Sequence, residues 1–162
     1  PMAKTKIAMG CDGAGYVMKA FLKEYLEGEG YEIVDVGCHS EEMCDYPIYA
    51  RDLAYAIRER KADRGILVCG SGIGICIAAN RYPWIRAATV YDETAARMTR
   101  AHNDANVMCL GGMLSGQWLA RDCVDVFLKT GWDGLHAEGA RHVPRIKMLD
   151  DPESDFDAFG KR

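Results

Sequence analysis

The sequence predicts a three-layer α/β/α domain built on a five-stranded parallel sheet, and two observations support this prediction. Short apolar segments typical of strands alternate along the chain with five amphipathic segments typical of helices. The third strand segment, residues 65–69, is apolar throughout, which is typical of a strand buried on both faces of a parallel sheet. Because crossovers between parallel strands are right-handed, we expect helices on both faces.

The individual elements follow from periodicity and from glycine punctuation. The predicted strands are residues 6–10, 31–36, 65–69, 87–90 and 106–110. The predicted helices cover about 17–26, 50–57, 74–80, 92–102 and 115–129, the first ending at the glycines of 28–30. We predict a loop at 45–47, and we predict no unbroken helix around Pro144, since proline interrupts helical hydrogen bonding.

Length and composition indicate one soluble globular unit. The 162 residues, 49% hydrophobic and 27% charged, predict a single domain over 1–162, with a core at about 5–149 and a solvated, poorly ordered acidic tail at 150–162. A net charge of −4 argues against a nucleic-acid partner. The chain shows no apolar run long enough for a membrane span and no signal-peptide pattern, so we expect a cytoplasmic protein without a membrane partner. The seven cysteines are an odd number and are expected to be free thiols.

Ligands of parallel sheets bind beyond the carboxyl ends of the strands, where the sequence places Asp12, Cys69 and Tyr91. The glycine cluster at 70–74 follows the third strand instead of the first, and its spacing does not fit a dinucleotide fingerprint. No Gly-Lys-Ser/Thr follows it, which also excludes a nucleotide P-loop. A tight strand-to-helix turn and a cradle of N–H groups for a small anion both remain open.

Cys69 immediately precedes this glycine cluster. A thiol near the electropositive start of a helix ionises more readily than a free thiol, and we expect Cys69 to be alkylated before the other six cysteines. Such a thiolate beside oriented N–H donors suits two reactions: attack on a carbonyl carbon, or removal of a proton from the carbon next to a carbonyl.

Seven motifs occur together and in order along residues 6–149. They are Gly-Cys-Asp-Gly-Ala-Gly (10–15), Asp-Tyr-Pro (45–47), Cys-Gly-Ser-Gly-Ile-Gly-Ile (69–75), Ala-Ala-Asn (78–80), Ile-Arg-Ala-Ala (85–88), His-Asn-Asp-Ala-Asn-Val (102–107) and Gly-Ala-Arg-His-x-x-Arg (139–145). In these motifs the chain resembles the type B ribose-5-phosphate isomerases and related sugar-phosphate isomerases, including galactose-6-phosphate isomerase subunits. The resemblance implies a Rossmann-like fold, a homodimer with active sites at the subunit interface, and neither metal nor organic cofactor. A further pairing of dimers stays open.

The resemblance also implies roles for individual residues. Cys69 is the base that moves a proton between C1 and C2 through an enediolate, and Ser71 lies near the reacting carbonyl. His102 assists opening of the sugar ring, and Asn103 lies at the enediolate oxygens. The implied substrate-binding residues are Asp12, Gly13, Tyr46, Gly70, Gly72, Ile73, Gly74, Arg141 and Arg145. Among these, the backbone N–H groups of 70–74 stabilise the oxyanion and the two arginines bind phosphate. The remaining histidines, His39, His136 and His142, are interpreted as surface residues.

Two positions depart from the family pattern. Gly13 replaces a histidine that commonly follows the aspartate, and Met113 replaces an arginine after the fifth strand. Loss of charge-assisted bonds weakens phosphate binding, so these departures bear on the substrate identity and not on the reaction class. The leading hypothesis is interconversion of ribose 5-phosphate and ribulose 5-phosphate. The alternatives are an isomerase of a tetrose, a hexose or an unphosphorylated sugar, a sugar-phosphate-binding subunit without catalysis, and, on fold alone, a cofactor-binding oxidoreductase.

Overall fold

The computed structural model describes residues 4–158, so residues 1–3 and the last four residues of the predicted acidic tail, 159–162, lie outside the described part. Five parallel strands form one sheet in the order β2-β1-β3-β5-β4. The strands are β1 Lys6–Cys11, β2 Glu32–Gly37, β3 Arg64–Cys69, β4 Ala87–Thr89 and β5 Val107–Gly111. All five predicted strands are confirmed, with ends shifted by at most one residue.

Six α-helices were found in residues 4–158, one more than predicted. They are α1 Tyr16–Gly28, α2 Tyr46–Arg58, α3 Ile73–Ala79, α4 Glu93–Ala101, α5 Gln117–Lys129 and α6 His142–Asp150. Short 3-10 turns at Gly13–Gly15, Asp133–Leu135, Ala137–Gly139 and Phe156–Ala158 complete the described chain.

The helices cover both faces of the sheet, which confirms the three-layer prediction. On one face, the core joins α1, α4 and α5 to β1, β3 and β5, with Leu22, Ala96 and Val124 buried together. On the other face, α2 and α3 bury Leu53 and Ile75 against the sheet. The central strands are buried on both faces of the sheet: every residue of β5 and five of the six residues of β3 are buried.

The strand order places a binding crevice between β1 and β3. After β1 the chain crosses to β2 on one side of this pair, and after β3 it crosses to β4 and β5 on the other side. The two connections therefore diverge between β1 and β3. We refer to the side where the strands end as the carboxyl edge and to the side where they begin as the amino edge. Asp12 and Cys69 lie directly at the crevice, because Cys11 pairs with Val68 in the register of β1 and β3.

Three predictions of helix and loop boundaries were wrong. Residues 46 and 47 do not lie in a loop but begin α2, where Pro47 is tolerated because the first N–H groups of a helix have no intrahelical acceptor. For the same reason α6 runs unbroken through Pro144, its third residue. Asp150 belongs to α6 and forms an ion pair of 2.6 Å with Arg86, so it is not part of a solvated tail.

All seven cysteines are free, as predicted. None of the helices within residues 4–158 combines the length and the apolar character that crossing a membrane would require.

Candidate active site

Cys69 ends β3 at the crevice and is 4% exposed. Its Sγ accepts a hydrogen bond of 3.2 Å from the backbone N–H of Gly72. An N–H donor stabilises a thiolate more than a thiol, because only the anion is a strong acceptor. The structure therefore brings the sequence-predicted base together with an amide of the predicted cradle.

The glycine loop crosses the end of β5. Gly72 has a φ of +79°, and a Cβ on it would lie 2.8 Å from the carbonyl carbon of Leu110. Only glycine fits both the backbone angle and the close approach. Gly72 also sets the start of α3, where it occupies the N-cap position.

Two residues of β4 and its following turn fasten this loop, and sequence reasoning did not identify them as supporting residues. The hydroxyl of Thr89 donates to the carbonyl of Gly72 at 2.9 Å, and the hydroxyl of Tyr91 donates to the carbonyl of Ser71 at 2.8 Å. The placement of Tyr91 at the strand ends was the only sequence signal, and the sheet order that brings β4 within reach was not available from sequence.

The predicted N–H cradle is partly occupied by the loop itself. Besides the Gly72 amide, the N–H of Ile73 donates to the Oγ of Ser71 at 3.2 Å. The N–H of Gly74, the second in α3, has no acceptor within the helix. Fewer N–H groups of residues 70–74 can therefore face an oxyanion than the sequence predicted.

Tyr46 and Asp12 flank the cradle. The ring of Tyr46 lies over Gly74, where a Cβ would be 2.7 Å from the tyrosine Cζ. The carboxylate of Asp12 accepts the N–H of Gly15 at 3.0 Å and thereby caps the turn after β1. Asp12 follows the end of β1, as the strand pattern predicted, and Tyr46 reaches the glycine loop from the start of α2.

Gly13 is buried under the segment that follows β2. A Cβ on Gly13 would clash with the carbonyl oxygen of Glu42 and would lie 2.7 Å from that of Glu41. The backbone of 41–42 thus takes the space that a side chain at position 13 would need. Met113, the second departure from the family pattern, is 75% exposed next to Gly70.

The remaining predicted site residues lie at the opposite edge of the sheet. Helix α4 starts at the carboxyl edge after β4 and runs back, so His102 and Asn103, at its end, lie near the amino edge. Asn103 lines a cavity of about 480 Å³ with Arg86 and Ala105, which adjoin the starts of β4 and β5. We call His102, Asn103, Arg141 and Arg145 the amino-edge cluster, and Asp12, Gly13, Tyr46 and 69–74 the carboxyl-edge cluster.

The two clusters are too far apart to act on one sugar within one chain. Cys69 pairs with Gly111 at the end of β5, whereas Asn103 precedes the start of that strand. Four residue steps at roughly 3.3 Å each give a separation of about 13 Å along the sheet. The structure therefore brings together the members of each cluster but does not bring the clusters together.

The two clusters also differ in charge. The loops of the carboxyl edge, residues 12–15, 38–45, 70–72, 91–92 and 112–116, contain five acidic residues and neither lysine nor arginine. Arg141 and Arg145 are exposed at the amino-edge cluster, on the N-cap and the fourth residue of α6. Residues four apart lie on one helix face, so the two guanidinium groups can converge on one anion.

His142 is buried, which contradicts its prediction as a surface residue. It is 3% exposed, and its ring stacks on that of His102 with a centroid distance of 4.4 Å and an interplanar angle of 17°. Burial and the positive charge of Arg141 lower the pKa of His142. Local sequence patterns do not indicate this contact, because His142 reaches His102 only through the packing of α6.

Cys76, on the second turn of α3, is a further thiol near the carboxyl edge. Hydrogen bonds with Cys109 and Thr89 lower the pKa of Cys76 to about 6, although burial opposes the shift. It is partly exposed in a cavity of about 370 Å³ together with Thr89 and Asn80.

The sequence and the fold both match known proteins. The family model described as Ribose/Galactose Isomerase matches residues 7–149. Ribose-5-phosphate isomerase B of Escherichia coli is 40% identical over 144 residues, which cover 89% of this chain and 93% of that protein. The galactose-6-phosphate isomerase subunit LacB of Clostridium acetobutylicum is 36% identical over 123 residues, covering 76% and 71%.

Solved structures show the same fold. A ribose 5-phosphate isomerase from Thermotoga maritima superimposes with a TM-score of 0.87 at 45% identity and covers 92% of this chain and 99% of that chain. A type B ribose 5-phosphate isomerase from Trypanosoma brucei gives a TM-score of 0.86 at 41% identity, with coverages of 93% and 100%.

Proposed function

The chain belongs to the ribose/galactose isomerase family, and on that premise we propose that this aldose–ketose isomerase interconverts ribose 5-phosphate and ribulose 5-phosphate. The observation that carries the proposal is the hydrogen bond from the Gly72 amide to the Cys69 sulfur at the crevice between β1 and β3. It places the Cys69 sulfur and a backbone N–H donor together where ligands of such sheets bind.

The proposed reaction uses Cys69 as a base and then as an acid. The thiolate removes the proton from C2 of the open-chain aldose. The electron pair of that C–H bond forms the C1–C2 double bond while the carbonyl electrons move to O1, giving an enediolate. The thiol then returns the proton to C1, and the hydroxyl proton on O2 moves to O1, which leaves a ketone at C2. Backbone N–H groups of the glycine loop stabilise the negative oxygen.

The amino-edge cluster is proposed to supply the other functions. His102 donates and accepts the proton needed for ring opening, because an imidazole can act as both acid and base. Asn103 contacts the enediolate oxygens, and Arg141 with Arg145 binds the phosphate. Asp12 and Tyr46 bind the sugar hydroxyl groups at the carboxyl edge.

A complete site then requires two copies of the chain. We propose a homodimer in which the carboxyl-edge cluster of one subunit faces the amino-edge cluster of the other. Two observations support it: the separation of about 13 Å between the clusters in one chain, and the opposite charge of the two clusters, which contain Asp12 on one side and Arg141 with Arg145 on the other. Two-fold symmetry would give two identical sites. The seven free thiols support a cytoplasmic location, since the cytosol keeps thiols reduced.

A second candidate keeps the reaction but changes the sugar. At the carboxyl edge the backbone of 41–42 covers Gly13, and the uncharged Met113 is exposed beside Gly70. These two positions offer no cation to a phosphate, which favours an unphosphorylated sugar, or a sugar phosphate of another length, such as a tetrose or hexose phosphate, whose phosphate group does not reach them.

An assay of the purified protein on aldoses of four to six carbons, with and without phosphate, distinguishes these candidates. We expect the highest kcat/KM for ribose 5-phosphate and a loss of about 10²- to 10⁴-fold in Cys69→Ala, which removes the proposed acid–base group. Cys123→Ala, a buried change on α5, serves as the control. Equal or better turnover of another sugar would reject ribose 5-phosphate, and full activity of Cys69→Ala would reject the mechanism.

A further inference from the structure

Three side chains from separate segments converge at the amino edge. His102 follows α4, Asp133 begins the 3-10 turn Asp133–Leu135, and His142 begins α6. One nitrogen or oxygen ligand atom from each lies within 4.8 Å of those from the other two. We propose that these three residues bind one divalent transition-metal ion of the zinc class, and that the bound ion inhibits the enzyme.

The buried state of His142 provides a second, independent observation. The residue is only 3% exposed, and its Nε2 is buried without a hydrogen-bond partner within residues 4–158. Burying an imidazole nitrogen without a partner costs free energy. A metal ion bound by this nitrogen would recover that cost.

The chemistry of the three ligands selects the class of ion. Two imidazoles and one carboxylate suit Zn²⁺, Co²⁺ or Ni²⁺, whereas Mg²⁺ and Ca²⁺ prefer oxygen ligands. Bonds to zinc of about 2.0–2.2 Å place neighbouring donor atoms about 3–3.5 Å apart. Starting from at most 4.8 Å, the donor atoms must move closer together. The near-parallel stack of the two imidazoles must also open, because a metal ion bonds to an imidazole nitrogen in the plane of its ring.

The surrounding charge sets the strength of the site. Arg141 and Arg145 act on His142 from the same helix, and they oppose a cation, while the carboxylate of Asp133 attracts it. We therefore expect weaker binding than at a structural zinc site that is closed by four ligands. The fourth position remains open to water or to an anion that the arginines attract.

The inhibitory consequence rests on the proposed function. His102 is the proposed proton carrier for ring opening, and an imidazole nitrogen that is bonded to a metal cannot exchange a proton. The ion would thus act on the reaction as an inhibitor and not as a cofactor.

Zinc titration of ¹⁵N-labelled protein, followed through the imidazole resonances, tests the site directly, because the chain has only four histidines. We expect the resonances of His102 and His142 to shift and those of His39 and His136 to stay. We expect Asp133→Asn and His142→Gln to weaken zinc binding at least 10-fold, and His39→Gln, an exposed matched control, to leave it unchanged. Asp133→Asn keeps the test valid should the buried His142→Gln fail to fold.

A parallel titration with Co²⁺ separates this site from the free cysteines. Thiolate ligands give an intense charge-transfer absorption in the near ultraviolet, which histidine and carboxylate ligands do not give. Absence of histidine shifts, equal affinity in Asp133→Asn, or thiolate absorption as the only signal would each overturn the proposed site.

These binding measurements need no substrate, so they succeed or fail separately from the isomerase assay. In that assay we expect zinc to inhibit the wild-type protein, with at least 10-fold less sensitivity in Asp133→Asn. Zinc that binds at His102 and His142 without inhibiting would leave the site intact and overturn both the inhibition and the ring-opening role of His102.

Discussion

The backbone N–H of Gly72 donates to the Sγ of Cys69 over 3.2 Å, and this bond links the end of β3 to the start of α3. The donor is in place only because Gly72 adopts a φ of +79° as the loop crosses the end of β5. The left-handed angle of one residue therefore sets the surroundings of the proposed catalytic sulfur.

Replacing Gly72 by alanine is expected to reduce both stability and activity. A Cβ would be strained at this φ and would lie 2.8 Å from the carbonyl carbon of Leu110, so the loop must shift. We expect a loss of about 1–3 kcal/mol in the free energy of unfolding, measured by urea denaturation. Because the shift moves the donor to Cys69, kcat should fall at least about 10-fold.

Gly116→Ala is the matched control for this change. Gly116 has a φ of −71°, and a Cβ there meets nothing within 4 Å. Stability and kcat of Gly116→Ala should stay close to wild type. A Gly72→Ala protein that matches this control would show that the loop tolerates a side chain and that the N–H bond to Cys69 is not needed.

The proposed division of the site between two subunits predicts complementation between inactive variants. Cys69→Ala removes the base at the carboxyl edge, and Arg145→Ala removes a phosphate ligand at the amino edge. In a mixed dimer, one of the two sites would combine intact clusters from both chains. Unfolding and refolding equal amounts together should restore about a quarter of wild-type activity, since half of the dimers are mixed and each has one intact site.

A pair of variants from the same edge provides the control. Cys69→Ala and Ser71→Ala both alter the carboxyl-edge cluster. In a mixed dimer of these two variants, one site therefore contains Cys69→Ala and the other contains Ser71→Ala, so neither site is intact. This pair should not exceed the activity of Ser71→Ala alone. If Cys69→Ala and Arg145→Ala also fail to complement, the site is not shared between subunits in the proposed way.

Alkylation by iodoacetamide is expected to select Cys76. Hydrogen bonds with Cys109 and Thr89 lower its pKa to about 6, so at pH 7 it is mostly thiolate, and its rate should change little above that pH and fall below pH 6. Mass spectrometry of the peptides from pH 5 to 9 measures this. The sequence alone had put Cys69 first, but Cys69 is 4% exposed.

Cys44 is the internal control in the same experiment. It is also partly exposed, but burial and a hydrogen bond with Cys38 raise its pKa. Its rate should continue to rise up to pH 9. Faster labelling of Cys44 or Cys69 than of Cys76 at pH 7 would contradict the expected order.

The strands and the carboxyl-edge cluster were predictable because they depend on local signals. Apolar runs locate β1 and β3, and the rule that parallel strands end at one edge then places Asp12 beside Cys69. The motif order along the chain identified the family. Periodicity, however, fixes neither which strands are neighbours nor how the loop over β5 reaches Thr89 and Tyr91.

The amino-edge cluster shows what local patterns cannot reveal. His102 ends a helix that returns from the carboxyl edge, so its distance from Cys69 follows from the direction of α4 and not from sequence spacing. Helix α6 was missed because Pro144 was interpreted as a helix breaker, although in a first turn its missing N–H costs nothing. With α6 unassigned, the burial of His142 against His102 could not be predicted.

The buried ion pair of Lys19 and Asp35 makes stability depend on pH. Lys19 is 1% exposed, and its Nζ donates to Asp35 at 2.7 Å and to the carbonyl of Cys38. Burial alone would raise the pKa of Asp35, but hydrogen bonds from Lys19 and from the N–H of Gly37 outweigh it and hold the pKa below 3.8. The ionised carboxylate of Asp35 thus stabilises the folded state at neutral pH. This stabilisation is lost as the pH falls through the lowered pKa of Asp35.

Asp35→Asn should therefore destabilise the protein by about 3–5 kcal/mol at pH 7, because it leaves the charge of Lys19 buried and uncompensated. Urea denaturation at pH 7, 4 and 3 measures the free energy of unfolding. The difference in this free energy between wild type and Asp35→Asn should narrow below pH 4. Asp122→Asn removes an exposed partner of Arg121 and should cost less than about 1 kcal/mol at every pH. A gap for Asp35→Asn that is equally small, or that does not change with pH, would show that the buried pair contributes no pH-dependent stability.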